Sequence, residues 1–236
     1  MNEMDRFNKT RALISAFLPL LALAFIGTSL LTDDWYSGEV LTGDREDPES
    51  DWWQGKLDYR FSGALIQSGD NENLFNVEHW NSTEIAHTGE AETLFSGSFL
   101  SFIGAGGIMV ILFIMGVLVS QRKLSWYIPF ITSLVAIILI IVPVYLLHDL
   151  LPGLVESDVD SASKFTEENM PDGGSEMLLQ NSTYGSSLDH LLWSLVPVII
   201  SPLLLMGIKR RPLPSLMKIA NDFYSPENDR DFEVNV

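Results

Sequence analysis

Four uninterrupted apolar blocks organise the chain, at residues 12–31, 99–119, 127–147 and 191–208, and none contains an Asp, Glu, Lys, Arg or His. A helix of about twenty residues rises about 30 Å, the thickness of a bilayer's hydrocarbon core, so each block predicts a membrane-spanning helix. Between the first two blocks the period changes. Across residues 56–61, apolar Leu57, Tyr59 and Phe61 alternate with Lys56, Asp58 and Arg60, the period of two of a half-buried strand. Residues 35–42 and 74–80 predict further strands, and 177–179 an edge strand. The acidic run 44–51, interrupted by Pro48, is a loop tip, because proline and repelling carboxylates oppose pairing. The expected fold is a four-helix membrane bundle with a small antiparallel β-sheet in its first outer loop, α+β overall.

Basic residues orient the blocks. Ten of the fourteen Lys and Arg lie in segments 1–11, 120–126 and 209–236, which the positive-inside bias places in the cytoplasm as N-terminus, turn and tail. Segments 32–98 and 148–190 then lie outside, the first a β-rich loop domain and the second a mostly polar loop. Fifteen acids against three bases give the first a charge of −12, and nine against one give the second −8. Such a surface is mainly a solvated, self-repelling face; its sharper reading is weak divalent-cation binding in the millimolar class. Asn81-Ser82-Thr83 and Asn181-Ser182-Thr183, both N-glycosylation acceptor sequences, fall on this outer side. A cleaved signal peptide is the alternative for the first block, since Ala22-Leu23-Ala24 has the small-x-small pattern. Its apolar run continues seven residues past Ala24, which favours an uncut span.

Composition removes several classes of chemistry. The absence of cysteine excludes a disulfide framework, a thiol nucleophile and thiolate metal sites. A pI near 4.4 makes nucleic acid an unsuitable partner. No phosphate-binding loop or hydrolase signature occurs, and no cofactor is implied. The spans lack the ionisable residues that mark transport paths, so Pro19, Pro129, Pro143, Pro197 and Pro202 read as packing kinks. His148-Asp149 and Asp189-His190 close and open neighbouring spans, and two His with two carboxylates form a candidate transition-metal set; polar residues at helix exits are the commoner account. Gly97, Ser101 and Ala105 repeat at four-residue spacing, a small-residue face suited to close helix packing. Lys209-Arg210-Arg211 anchors the last span, followed by a short interfacial helix through Tyr224 and an acidic end whose terminal Val236 suits a PDZ-type groove.

At the exit of the first block, Phe25-Ile26-Gly27-Thr28-Ser29-Leu30-Leu31-Thr32-Asp33-Asp34-Trp35-Tyr36-Ser37 resembles the first-helix exit of the claudin-like tetraspan superfamily, which includes claudins, peripheral myelin proteins and calcium-channel gamma subunits. Trp35 stands where that superfamily places its first loop tryptophan, and Gly55-Lys56-Leu57 with Tyr59 is a loose relative of its Gly-Leu-Trp signature. The order and lengths of the segments are similar over nearly the whole chain, but the superfamily's pair of loop cysteines is absent. The resemblance implies cytoplasmic termini, an outer sheet built around Trp35, Leu57, Tyr59 and Phe61, and a role in adhesion or as an accessory subunit. The expected function is therefore non-enzymatic: binding a protein partner or further copies of itself, within membrane lipid, through the outer domain and helix faces. The alternatives are a small transporter or channel component whose path forms only in an oligomer, and a membrane sensor.

Overall fold

The structure, a computed structural model, describes residues 3–43, 53–61, 63–67, 90–169 and 176–208. It contains helices α1 (Glu3–Thr32), α2 (Glu90–Ser120), α3 (Tyr127–Asn169) and α4 (Ser186–Leu205), and strands β1 (Tyr36–Gly43), β2 (Trp53–Arg60), β3 (Gly63–Gln67) and β4 (Glu176–Tyr184). All four helices are long and apolar enough to cross a membrane. Large apolar side chains such as Phe17, Leu100, Ile138 and Ile199 remain exposed along every one of them. At 1.5 Å per residue, the 31 residues of α2 and the 43 of α3 exceed a bilayer core of about 30 Å, so both carry extra turns.

Those extra turns correct the expected boundaries. Segment 148–190 is not a loop up to Asn169: α3 runs straight on, with Pro152 inside it and Leu151, Val155, Asp158 and Val159 buried along one face. The predicted strands at 35–42 and 56–61 appear as β1 and β2. The edge strand expected at 177–179 is longer, and it joins β1, so the sheet draws on both outer segments rather than the first alone. β3 was not expected; it follows β2 after a tight turn. The expected strand at 74–80, the acidic tip 44–51, Asn81 and the tail 209–236 lie outside the described residues.

The sheet is antiparallel, in the order β3-β2-β1-β4. Tyr36 stands opposite both Tyr59 on β2 and Tyr184 on β4. Between β1 and β4 the register slips at Glu39/Val40, whose partners are Asn181 and Leu179, leaving Gln180 as the extra residue of a β-bulge. One sheet face is apolar: Val40, Leu57, Tyr59 and Ala64 join a single buried cluster with Phe95 and Phe102 of α2 and Leu151, Val155 and Val159 of α3. The other carries Glu39, Lys56, Arg60 and Asn181, all exposed. The sheet and the helices thus share one core.

Within the bundle α1 packs most extensively on α4. Three buried serines bond across it: the Ser29 hydroxyl donates to the Ser187 carbonyl at 2.6 Å, and Ser15 and Ser201 each donate to the other's carbonyl at 2.6 and 3.0 Å. A polar group in an apolar medium must find such a partner, and these fix the depth of α1 against α4. Between α1 and α2 the backbones come close at Gly116, where an added Cβ would stand 2.8 Å from Ala16 Cα. The small-residue face expected at Gly97, Ser101 and Ala105 holds only in part. Ala105 is buried, Ser101 is half-buried, and Gly97 is exposed with nothing within 4 Å of an added Cβ.

After Ser120 the chain turns without glycine. Arg122 takes the left-handed conformation (φ 58°), Lys123 N–H donates to Leu118 O at 2.9 Å and Arg122 N–H to Val119 O at 2.8 Å, the double bond of a Schellman closure.

Candidate functional site

The C-terminal end of α1 is where the sheet is fastened to the helices. Asp33 stops α1 in the left-handed conformation (φ 49°), which Asp tolerates better than most residues, and its Oδ1 accepts the Phe61 N–H at 2.7 Å. That bond ties the helix exit to the β2–β3 turn. Asp34 does the same for α4. The residue before α4 is Gly185, which has no side chain to cap a helix, and the Asp34 carboxylate takes over: its Oδ2 accepts from Ser186 N and Ser186 Oγ at 3.2 and 3.3 Å. A carboxylate at a helix N-terminus also meets the positive end of the helix dipole. Backbone bonds close the clasp, from Ser187 N to Asp34 O at 3.1 Å and from Gly185 N to Trp35 O at 3.0 Å. Only glycine fits at 185, because a Cβ there would collide with the Asp34 carbonyl and carboxylate. Replacing Asp34 with Ala is expected to cost about 1 kcal/mol, with hydrogen exchange rising first at the amides of residues 186–188. Unchanged exchange there would contradict the capping role.

Trp35 enters the core directly from this clasp. It is 2% exposed, stacks on Phe102 at 5.7 Å with ring planes 7° apart, and meets the edge of Phe61 at 4.5 Å. Phe61 in turn touches Phe95 at 5.4 Å and Phe99 at 5.2 Å. Aromatic rings from the first outer segment therefore interleave with those of α2, where burial and edge-to-face geometry both stabilise them. Trp35 Nε1 is buried and has no hydrogen-bond partner among the described residues. The expected core residues Leu57 and Tyr59 are buried, whereas Gly55 pairs with Val40 and borders a surface concavity. Phe95 and Phe102 were missed as sheet partners, although their spacing with Phe99, at i, i+4 and i+7, marks one helix face.

A second fastening joins the sheet to α3. The Tyr59 hydroxyl donates to Asp158 Oδ2 at 2.7 Å, and both residues are buried. Burial, and next to it the Asp158 charge, push the Tyr59 phenol well above its usual range. Burial, the Tyr36 hydroxyl and the Asp149 charge push Tyr184 in the same direction. A phenol whose ionisation is raised on folding contributes stability that is complete below the free phenol's pKa of about 10 and lost as pH rises through the folded value. Thermal stability is therefore expected to fall above about pH 10. Tyr59→Phe should flatten that fall and cost about 1.5–3 kcal/mol at neutral pH, the range for a hydrogen bond to a charged group. An alkaline limb unchanged in the variant would contradict the assignment.

No protein-family model and no curated protein matches the chain. The candidate metal set does not assemble: among the described residues no three His, Asp or Glu converge. His148 is stacked on Tyr184, with centroids 5.1 Å apart, and its carbonyl accepts the Tyr184 hydroxyl at 2.6 Å. Asp189 is exposed in the first turn of α4, and His190 is half-buried with Nδ1 unpartnered among the described residues.

What the fold does offer is an open concavity of about 470 Å³ on the exposed face of the sheet, formed where β1 runs between β2 and β4. Ser37, Glu39, Lys56, Asn181 and Thr183 line it, with the backbone of Gly38, Gly55 and Ser182 between them. Gly38 is required there, since an added Cβ would stand 2.6 Å from Asn181 O. Beside it, Lys56 Nζ and Arg60 Nη2 both reach Asp58 Oδ2, at 2.6 and 3.4 Å. That clamp covers Asp58, the one acid of β2, to 9% side-chain exposure. The concavity has polar groups from Ser37, Glu39, Lys56, Asn181 and Thr183 at its rim and carbon over most of its lining, an arrangement suited to a ring with hydroxyls at its edge and C–H on its face.

Proposed function

We propose that the chain is a four-span membrane protein with both termini cytoplasmic and the sheet outside, and that it acts without catalysis, as an accessory or adhesion-type protein. Its partner is another membrane protein or a further copy, met through the outer sheet and the lipid-facing helix sides. The observation that carries this reading is the shared core: the sheet is clasped to α1 and α4 through Asp33 and Asp34 and to α3 through Asp158, so it is a rigid platform and not a loop. A platform held this way presents a fixed surface and loses little entropy on binding.

Several features support the membrane arrangement. Apolar side chains exposed along all four helices make a belt far larger than a water-facing surface tolerates. Aromatic residues flank it, with Tyr127 exposed at one end and Tyr145 and Trp193 near the other, as interfacial anchors do. The charge asymmetry supports the orientation. The similarity of residues 25–37 to the claudin-like exit agrees with an accessory or adhesion role. In place of that superfamily's loop disulfide, the Trp35–Phe61–Phe102 stack and the β1–β4 pairing hold this sheet.

Brief crosslinking in the native membrane, followed by extraction and mass identification, tests the role. A stoichiometric partner, or a defined oligomer bridged through the outer segments, is the expected result. A monomer with no crosslinked species would overturn it, and ion conductance by the purified oligomer would move the function to a pore.

A further inference from the structure

We propose that Asn181 carries an N-linked glycan whose first sugars lie in the concavity on the outer face of the sheet. The inference rests on the proposed orientation, which puts β4 on the side where such glycans are attached.

Three independent features meet at this position. The acceptor sequence Asn181-Ser182-Thr183 lies on β4 with all three residues exposed, so the modification has room. The Asn181 side chain stands at the rim of the concavity, where among the described residues its Nδ2 makes only a long 3.3 Å bond to Glu39 Oε2. At about 470 Å³ that hollow falls in the size range of small-ligand sites. Its lining also fits a sugar, whose hydroxyls both donate and accept: Glu39 accepts, Lys56 donates, and Ser37 and Thr183 do either. The register is unbroken from Tyr36–Tyr184 to Glu39–Asn181, which sets Asn181 beside Glu39 and Thr183 beside Ser37, and the β-bulge at Gln180 lies just beyond it.

The glycan would also answer a problem of the sheet. β4 is an edge strand of nine residues with no proline and no lysine, and among the described residues it pairs only with β1. Edges of this kind invite pairing with other chains, and a bulky hydrophilic substituent beside the edge blocks it.

Attachment is an ordinary group transfer. The Asn181 amide nitrogen attacks the anomeric carbon of a sugar carried on a polyprenyl diphosphate. The N–C bond forms as the C–O bond to the diphosphate breaks, that electron pair leaves on the phosphate, and one amide proton passes to a base of the transferase.

The test is glycopeptide mass analysis of the protein extracted from its own membrane. The peptide holding Asn181 is expected to carry sugar, to lose it in Thr183→Ala, and to keep it in Ser182→Ala, which leaves the acceptor sequence intact. Endoglycosidase should release it about tenfold more slowly from the folded protein than after denaturation, because a seated glycan is protected. Equal release rates would overturn the seating. Bare Asn181 in the wild type would overturn the proposal, and Asn181→Cys separates the causes. Labelling of that variant by an impermeant maleimide from outside leaves the orientation standing and sinks the glycan alone; labelling only after the membrane is breached sinks both.

Discussion

Trp35→Ala is expected to release the outer sheet while leaving the four helices in place. The side chain is almost fully buried between Phe61 and Phe102, and truncating a buried aromatic typically costs about 3–5 kcal/mol in lost transfer energy and residual cavity. That penalty falls on one place. Trp35 follows the Asp33–Asp34 clasp and precedes β1, so its loss uncouples the first strand from α2 without touching the serine bonds between α1 and α4. Hydrogen exchange is therefore expected to rise across β1 and β2 and stay low in the helices, with proteases newly cutting the outer segments. Trp35→Phe should recover most of the loss: it keeps a ring on Phe102 and removes a buried indole N–H that has no partner among the described residues. Unchanged protease resistance in Trp35→Ala would contradict the aromatic plug.

Gly116→Val is expected to act on the opposite end of the molecule. A Cβ at this position stands 2.8 Å from both Cα and Cβ of Ala16, and the obstructing atoms belong to backbone and a methyl rather than to a flexible side-chain end. Nothing can swing aside, so α1 and α2 must separate. Overpacking of this kind costs about 1–3 kcal/mol, and in lipid it removes the dispersion contacts that hold helices together. The variant should show lower thermal stability in lipid and easier separation of α1, with the sheet unaffected. Gly97→Val is the matched control, because an added Cβ there meets nothing within 4 Å, and it should be silent. Equal behaviour of the two variants would show that the contact at Gly116 is not what sets the helix spacing.

The contrast between these glycines illustrates what the sequence makes legible. Apolar blocks and the alternation of Leu57, Tyr59 and Phe61 are carried by local periodicity, and they emerge as helices and β2. Which small residue faces a neighbour is not local. Gly97, Ser101 and Ala105 repeat regularly, but the position of α1 decides its contact face, and the glycines set against it are Gly106, beside Leu23, and Gly116, beside Ala16. The outward continuation of α3 had a readable signal, since Leu151, Val155, Asp158 and Val159 recur at helical spacing. Pro152, Ser161 and Ser163 and the density of acids around them obscured it, and tertiary burial against the sheet stabilises what composition alone disfavours. Asp58 shows a related limit: its place on the polar side of β2 was plain, but its shielding depends on Lys56 and Arg60 reaching back from two residues either side. The Asp34 cap on α4 joins positions 152 apart in the chain, and no short-range pattern announces it.

The central claim is a four-span protein whose clasped sheet stands outside the cell, and the absence of cysteine makes it directly testable. Lys164→Cys, exposed on the outward continuation of α3, and Lys123→Cys, exposed in the turn between α2 and α3, are labelled in intact cells with an impermeant maleimide. The expected result is labelling of Lys164→Cys before permeabilisation and of Lys123→Cys only after it. The reverse order, or labelling of both from one side, would contradict the arrangement.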